Sequence, residues 1–313
     1  MSAILFPLPT TLDLTSAPIS ARPSAALRAA LWMVGTLFSF STMAIAVREL
    51  LDTMGTFEVL FFRSLVSLLM VLAVVPRYGL GALRTRRIGL HVVRNLLHYC
   101  GQYAWVYAIA FLPLATVFAI EFTMPVWTAA LAVMLLGERL NRGRVVMLMT
   151  GIAGILIILR PGLAFIHPAA LVMLGGSLAF ATTMITTKRL SATDSPLVIL
   201  FYMSVIQLPL GLIPALPAWV TPTVADLPWV VGVGVAGYSA HYCMTRAFRL
   251  ADATLVVPLD FLRLPLIAVV GALFYREPIE LATMLGAVVM FAGTYYSVSR
   301  ESRARPATAA TAR

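Results

Sequence analysis

Ten apolar runs, each about 20 residues long, follow one another along the chain and are separated by charged residues, prolines and glycines. A helix needs about 20 apolar residues to cross the hydrocarbon core of a bilayer. The pattern therefore predicts an all-α integral membrane protein with ten transmembrane helices. The predicted spans are 27–47, 57–76, 88–111, 114–136, 143–160, 168–187, 196–216, 229–250, 253–275 and 280–299.

The composition excludes a soluble protein, because 60% of the 313 residues are hydrophobic and only 12% are charged, against about 25% charged in soluble domains. Most basic residues lie between the apolar runs, so the net charge of +10 indicates membrane topology and no nucleic-acid partner. Cys100 and Cys243 lie inside apolar runs without metal-ligand spacing, so neither a disulfide nor a metal site is predicted. No cofactor is expected.

The basic residues also predict an orientation in the membrane. Seventeen Lys and Arg residues fall on the side of the two termini, three fall on the opposite side, and three lie inside spans. Basic residues concentrate on the cytoplasmic side of membrane proteins. We therefore expect a multi-pass protein of the bacterial inner membrane with two cytoplasmic tails, a flexible one at 1–26 and a second at 301–313.

The chain matches itself at a shift of 139 to 140 residues, over all five pairs of spans. The matched pairs include Arg48/Lys188, Glu121/Asp260, Phe122/Phe261 and Glu138/Glu277. Two repeats are predicted, at 27–162 and 163–300. Because each repeat has an odd number of spans, the second enters the membrane inverted relative to the first, which is the arrangement of many secondary transporters.

The matched segments also resemble a known family. They run from Phe57 to Arg63, from 114 to 140 with the ending Gly-Glu-Arg-Leu, and from 252 to 279 with the ending Arg-Glu-Pro-Ile. Over about 27–300 the chain resembles the EamA branch of the drug/metabolite transporter superfamily. The resemblance implies a ten-helix inverted-repeat carrier that moves small metabolites by alternating access through a central cavity. Similar proteins export amino acids or opine-type metallophores, and others import riboflavin or S-adenosylmethionine, so substrate and direction stay open.

Some charged residues lie inside the predicted spans, where each costs about 2.5–3.5 kcal/mol near mid-helix. Pairing or a wet cavity must offset this cost, so we expect these side chains to face inward. They are Arg63, Arg94, Glu121, Asp260 and Arg263.

The acids among them suggest different roles. Asp260 and Arg263 are three residues apart on one helical face, which predicts a fixed ion pair. Glu121 has no basic residue at that spacing, so one interpretation makes it a proton carrier. In the alternative interpretation, Glu121 pairs with Arg63 or Arg94 and does not titrate.

Polar side chains recur at helical spacing in two corresponding spans, and a polar stripe in a membrane helix is expected to line a cavity. The candidate cavity residues are Arg94, His98, Gln102 and Trp105 in span 3, and Tyr238, His241 and Thr245 in span 8. Arg94 is the strongest candidate, because a guanidinium can hold a substrate carboxylate at two points and its counterpart in the second repeat is Val233.

Prolines mark the two spans that carry the acids. Pro125 lies in span 4, and Pro258 and Pro265 lie in span 9. A proline removes a backbone donor and kinks or breaks a helix. Interrupted helices in corresponding positions of two repeats predict hinges beside a transport site.

We expect a transporter, because the sequence contains no recognisable motif for an enzyme nucleophile, a catalytic metal or a nucleotide. A lipid-moving or structural membrane protein is the other class left open. Three deep arginines against two acids favour export of a carboxylated, amino-acid-like or opine-like solute in exchange for protons. The alternative is an importer of a vitamin or nucleoside-like metabolite such as riboflavin or S-adenosylmethionine. Either carrier would be a monomer or homodimer in the lipid bilayer.

Overall fold

A computed structural model describes residues 25–136, 141–162, 165–191, 193–251 and 253–304. Most of the first predicted tail and most of the second lie outside the described residues, and so do Glu138 and Arg139 of the first motif copy. The described chain consists of helices and short connections, and the all-α prediction is confirmed.

Twelve α helices are present in the described residues. They are α1 (Ala25–Leu51), α2 (Thr56–Val74), α3 (Ile88–Phe111), α4 (Leu114–Glu121), α5 (Met124–Leu136), α6 (Arg142–Leu159), α7 (Pro168–Ser191), α8 (Pro196–Ala215), α9 (Leu227–Leu250), α10 (Ala253–Phe261), α11 (Arg263–Tyr275) and α12 (Leu281–Ala304). Short 3-10 turns lie at Val75–Arg77, Leu80–Leu83 and Leu216–Ala218.

These helices form ten spans, because α4 and α5 together make span 4, and α10 and α11 make span 9. Eight segments are long and apolar enough to cross a membrane. The other two spans, α3 and α9, have 24 residues each and carry the predicted polar stripes. An even number of spans returns the chain to its starting side. We name that side the terminal side, and the opposite side the far side.

The two repeats are interleaved in the membrane. α1 packs against α9, α3 against α7, α2 against α8 and α6 against α12. Each of these pairs joins one helix of the first repeat to one of the second. Span 1 corresponds to span 6 and span 8 to span 3, so the first two contacts are equivalent under the inverted symmetry.

Local sequence signals determine where several helices begin. At the start of α6, the side chain of Asn141 accepts a hydrogen bond from the backbone N–H of Arg144 at 2.9 Å. At the start of α8, Ser195 caps the helix and Pro196 occupies its first position. Both arrangements satisfy or remove backbone donors that the first turn of a helix leaves without partners.

Spans 4 and 9 are both interrupted near their middle. Two residues separate α4 from α5, and one separates α10 from α11. Pro125 and Pro265 closely follow the two breaks, and neither can donate to the carbonyl four residues earlier, which belongs to Glu121 and Phe261 respectively. Pro258 lies inside α10 without ending it. Each interruption therefore coincides with a proline, and the two prolines differ by one position from exact correspondence in the repeats.

Glycines allow α6 and α12 to approach each other closely. A Cβ atom on Gly154 would collide with the Met290 side chain and lie 2.7 Å from the carbonyl oxygen of Gly286. A Cβ atom on Gly286 would lie 2.6 Å from the carbonyl oxygen of Gly154. Small residues serve this purpose in membrane helix pairs, and the contact here is within one chain.

We predict that Gly154→Ala destabilises the protein by about 1–3 kcal/mol, the usual cost of overpacking. Gly175→Ala is the matched control, because a Cβ atom on this helical glycine meets open space. Thermal unfolding of the purified protein in detergent compares the two variants. A melting temperature of Gly154→Ala equal to that of Gly175→Ala would contradict the packing account.

Candidate functional site

The two helix breaks meet at the centre of the protein. Phe122 and Phe261 stack with ring centroids 4.2 Å apart and ring planes 14° from parallel. The two residues are counterparts in the repeats, so the pseudo-two-fold axis passes between their rings. Their neighbours in the chain, Glu121 and Asp260, therefore lie near this axis.

One arginine joins the two intramembrane acids. Nη2 of Arg263 lies 3.2 Å from Oε1 of Glu121 and 3.4 Å from Oδ2 of Asp260. The other oxygen of Glu121, Oε2, accepts a hydrogen bond from Nε1 of Trp105 at 2.9 Å. We name Glu121, Asp260 and Arg263 the acid–arginine cluster. Trp105 thus contacts this cluster and shows no contact with Arg94.

Aromatic rings surround the guanidinium of Arg263. Its Cζ lies 4.4 Å from the ring centroid of Phe40 and 5.1 Å from those of Phe118 and Phe122. Ring faces attract a cation at such distances. The three rings belong to the first repeat and Arg263 belongs to the second, so this contact also holds the repeats together.

A second polar group, which we name the arginine cluster, lies between α2, α3 and α8. Its members are Arg63, Arg94, Asn95, His98 and Gln207. Arg63 donates to Oε1 of Gln207 at 2.6 Å, and Arg94 donates to Oδ1 of Asn95 at 2.7 Å. Nε2 of Gln207 lies 2.8 Å from Nδ1 of His98. The cluster thus joins predicted site residues from spans 2 and 3 through an amide of span 7.

Neither arginine of this cluster forms an ion pair with a carboxylate among the described residues. Arg63 is 3% exposed and Arg94 is 7% exposed. The further bond of Arg94 goes to the hydroxyl of Thr187 at 3.1 Å. Glu121 forms a buried ion pair, as the alternative interpretation expected, but its partner is Arg263 and neither Arg63 nor Arg94. Two buried cations held by neutral groups form a region suited to an anion.

His241 lies between the two clusters. Its ring centroid is 6.2 Å from that of His98 in the arginine cluster and 5.7 Å from that of Phe40 beside Arg263. Gln102 is buried one turn from His98 on α3, and its Oε1 has no hydrogen-bond partner. Polar groups therefore continue from one cluster to the other.

The remaining residues of the span 8 stripe do not join these clusters. Tyr238 stacks against Tyr242 at 6.4 Å, and Tyr242 is 44% exposed. The hydroxyl of Thr245, which is exposed, donates to the backbone carbonyl of His241 on its own helix. α1 packs along α9, and of the three predicted residues of this stripe only His241 lies beside the clusters.

Sequence analysis did not identify three residues that belong to the arginine cluster or contact it. They are Gln207, Asn95 and Thr187. Gln207 is the only amide in span 7, and its cost in lipid was a signal that could have revealed it. Asn95 and Thr187 carry no comparable signal, because their positions depend on how α3 packs against α7.

The far side is closed by hydrogen bonds to Glu277, which follows α11. Its Oε1 accepts from Nη2 of Arg48 at 2.6 Å, and its Oε2 accepts from the backbone N–H of Leu114 at 2.7 Å. The hydroxyl of Tyr275 donates to Glu49 at 2.8 Å. These bonds tie α1 and α4 to α11. Among the described residues, α4 packs on α11 near the far side. Toward the terminal side, α5 and α10 do not pack on each other to a comparable extent.

A separate contact on the terminal side joins loops of the two repeats. Asp194 accepts a hydrogen bond from Thr85 at 2.7 Å and lies 2.7 Å from Nε2 of His91. Burial raises the pKa of Asp194, but the hydrogen bonds from Thr85 and His91 outweigh it and hold this pKa below its usual value. The loop after span 6 is thereby fixed to the start of α3.

We predict that Glu277→Gln opens the far side more often, because it removes one charge-assisted contact. A loss of about 1.4 kcal/mol corresponds to a tenfold change in population. The readout is the labelling rate of a cysteine at Ala119, buried in α4, by a membrane-impermeant thiol reagent in a protein without Cys100 and Cys243. Glu280→Gln, which alters an exposed ion pair with Arg160, is the control. Equal labelling rates in the two variants would contradict the closure.

Interleaved inverted repeats, broken spans at the membrane centre and a buried polar core together define a multi-pass membrane transporter. The family model of the EamA-like transporter family matches residues 27–160 and 167–299. The chain therefore belongs to the EamA-like transporter family, and the prediction of a transporter rather than an enzyme is confirmed.

Named relatives differ in what they carry. The chain is 29% identical to the S-adenosylmethionine uptake transporter of Rickettsia prowazekii, over 87% of this chain and 92% of that protein. It is 30% identical to the riboflavin transporter of Rhizobium johnstonii, over 93% and 97%. It is 26% identical to the pseudopaline exporter CntI of Pseudomonas aeruginosa, over 81% and 89%.

A solved crystal structure of another protein shows the same fold. It superposes with a TM-score of 0.62 at 17% sequence identity, over 88% of this chain and 98% of that one. At this identity the likeness concerns the fold alone.

Proposed function

We propose that the protein is a secondary carrier of the inner membrane that binds a carboxylate-bearing metabolite at Arg63 and Arg94. The observation that carries this proposal is that both guanidinium groups are buried and lack a carboxylate partner among the described residues. Buried charges are normally paired. A substrate carboxylate would supply the missing partner and can accept two parallel hydrogen bonds from a guanidinium.

Two forms of this function are compatible with the site. One is export of an amino-acid-like or opine-like solute in exchange for protons. The other is uptake of S-adenosylmethionine, which is favoured by the 29% identity to an uptake transporter with that name. S-adenosylmethionine carries a carboxylate and riboflavin does not, so the arginine cluster supports the former over the latter as substrate.

Orientation follows from the distribution of basic residues. The terminal side would be cytoplasmic, because seventeen Lys and Arg residues lie there against three on the far side. With the far side closed by Glu277, the structure would correspond to a conformation that faces the cytoplasm. Pro125, Pro258 and Pro265 remain our candidates for hinges, since they lie in the two spans that must move relative to each other.

We predict that Arg94→Gln reduces transport at least tenfold, mainly through a higher KM, because a charge-assisted hydrogen bond contributes about 1.5–3 kcal/mol. The measurement is untargeted mass spectrometry of cells and medium, for a deletion strain complemented with wild type or variant. Arg249→Gln, at an exposed position of α9, is the matched control.

The same experiment assigns direction. A carboxylated solute that accumulates inside the deletion strain and is missing from its medium establishes export. One that stays in the medium and falls inside the cells establishes uptake. Full restoration of the transport phenotype by Arg94→Gln, or a solute without a carboxylate, would contradict the proposed function.

Coupling to protons is proposed for the acid–arginine cluster. Glu121 is held between Trp105 and Arg263, and Asp260 lies on the other side of the same Nη2. A proton on Glu121 would leave Arg263 paired with Asp260 alone. The carboxyl could therefore change its protonation state without leaving the guanidinium unpaired.

We predict that Glu121→Gln removes the dependence of transport on a pH gradient while leaving substrate exchange at equal pH within about threefold. The reason is that glutamine keeps an acceptor for Trp105 and cannot titrate. Flux into proteoliposomes, with and without an imposed pH gradient, measures both quantities. A variant that retains gradient-driven accumulation would show that Glu121 is only a structural partner of Arg263.

A further inference from the structure

Gln207 is a fully buried amide at the centre of the arginine cluster. From α8 it contacts both α2 and α3, because its Oε1 lies 2.6 Å from Nη2 of Arg63 and its Nε2 lies 2.8 Å from Nδ1 of His98. Nε2 also lies 3.5 Å from Oδ1 of Asn95, which accepts a hydrogen bond from Arg94. A path of hydrogen bonds therefore runs from one arginine to the other through two amides.

The arginines fix the direction of the bonds on this path. A guanidinium can only donate hydrogen bonds, so Arg63 must face the carbonyl oxygen of the Gln207 amide. The NH2 group of the same amide then points to Nδ1 of His98, which has to accept. An imidazole that accepts at Nδ1 is neutral and carries its proton on Nε2. By this geometry His98 adds no third positive charge to the cluster.

Each side-chain acceptor of the arginine cluster is used, whereas donors remain. The oxygens of Gln207 and Asn95 accept from the two arginines, and Nδ1 of His98 accepts from Gln207. Nε of Arg63 and Nδ2 of Asn95 are buried without a partner. Nε2 of His98 makes no hydrogen bond within the part of the chain that the structure describes. The cluster therefore lacks an acceptor, and a carboxylate is a group that only accepts.

The inverted symmetry of the fold does not account for this pairing. Spans 2 and 7 correspond to each other, so the contact of α2 with α8 is its own equivalent. At a shift of 140 residues, Arg63 corresponds to Met203 and Gln207 corresponds to Ser67. A methionine cannot donate a hydrogen bond, so the equivalent charge-assisted bond cannot form. The pair of Arg63 and Gln207 is therefore confined to one side of the pseudo-two-fold axis.

We propose that Gln207 is a positioning residue that keeps the arginine cluster ready for the carboxylate of the solute. Its carbonyl oxygen holds the guanidinium of Arg63 without neutralising the charge, and its NH2 group fixes the tautomer in which His98 offers Nε2–H as a further donor. A carboxylate in place of this amide would pair with Arg63 and compete with the solute. The proposal rests on the proposed function, because it requires Arg63 and Arg94 to bind a carboxylate.

Gln207→Glu tests this role in the full-length carrier, reconstituted in proteoliposomes. The probe is the small-molecule extract of bacterial cells, supplied over a series of dilutions. Mass spectrometry gives the initial entry rate of each solute, after subtraction of entry into protein-free liposomes. We expect the extract concentration for half-maximal entry of carboxylated solutes to rise about tenfold or more, because the introduced carboxylate competes for Arg63. Asn141→Asp is the matched amide-to-acid control, at the exposed start of α6.

The outcomes separate this proposal from the proposed function. If no carboxylated solute enters vesicles with the wild-type carrier, the proposed function and this proposal are both overturned. If carboxylated solutes enter and Gln207→Glu leaves their half-maximal concentration unchanged, only the role of Gln207 is overturned. Thermal unfolding in detergent verifies that each variant is folded. A lower melting temperature with an unchanged half-maximal concentration would show a structural role alone, and would also overturn the proposal.

A measurement of the His98 tautomer does not depend on transport. Nitrogen NMR of the protein with its four histidines isotopically labelled separates a protonated ring nitrogen from an unprotonated one, and His98→Gln identifies the signals of His98. We expect Nδ1 to be unprotonated in the wild type and protonated in Gln207→Glu, because a carboxylate cannot donate. A protonated Nδ1 in the wild type, or the same tautomer in both proteins, overturns the proposal.

Gln207→Asn replaces Gln207→Glu if the latter is not folded. The shorter amide adds no charge and cannot contact Arg63 and His98 from the same place. We then expect the half-maximal concentration of carboxylated solutes to rise about threefold, since a neutral contact that orients a charged group is lost. An unchanged half-maximal concentration in this variant overturns the proposal.

Discussion

A charge inside a hydrocarbon layer has to find its counter-charge within the protein, and in this fold that requirement is met at the crossing of the two broken spans. Arg263 belongs to the second repeat, but its acid partner Glu121 and the three rings around it belong to the first. Asp260 of the same repeat also contacts Arg263, but Glu121 meets its basic partner only when the two repeats pack together. Helix packing and charge pairing thus favour the same arrangement of the two repeats. A sequence whose separate interactions all favour one arrangement folds to a single stable structure.

The charged groups of the interior lie in two separate clusters, so the electrostatic potential differs from one part of the interior to the other. In a medium of low dielectric constant, unpaired charges act over longer distances than they do in water. The arginine cluster has no carboxylate among the described residues, whereas Arg263 has two acids beside it, and the ring of His241 lies between the two clusters. A solute that carries a carboxylate would be attracted to the arginine cluster, whereas an uncharged solute would gain little from it.

Much of the fold could be predicted from the sequence, because each step rested on periodicity within one helix or on a match between repeats. The number of spans, the inverted repeat and the burial of Arg63, Arg94 and Arg263 follow from such patterns. The partner of Glu121 could not be predicted, since it lies more than a hundred residues away in another repeat. Tyr238 was predicted to line the cavity because it shares a helical face with His241, but spacing along one helix does not show that Tyr238 stacks on Tyr242.

Gln207 shows a different limit of sequence reasoning. A single amide in an apolar span indicates a polar partner, but not which one. Its contacts with Arg63 and His98 depend on the packing of α8 against α2 and α3. Pairings of this kind require three helices to be placed together, and no spacing within one helix encodes them.

The stack of Phe122 on Phe261 shows how a protein of this kind could form from two copies of a chain half as long. Each ring rests on its own counterpart, so this central contact is self-complementary, as in an interface of two identical subunits related by a two-fold axis. Two copies of a five-span chain, inserted in opposite orientations, would bring the same phenylalanine against itself. Fusion into one polypeptide frees the two copies to diverge, and the acids beside the rings have done so: one is a glutamate and the other an aspartate.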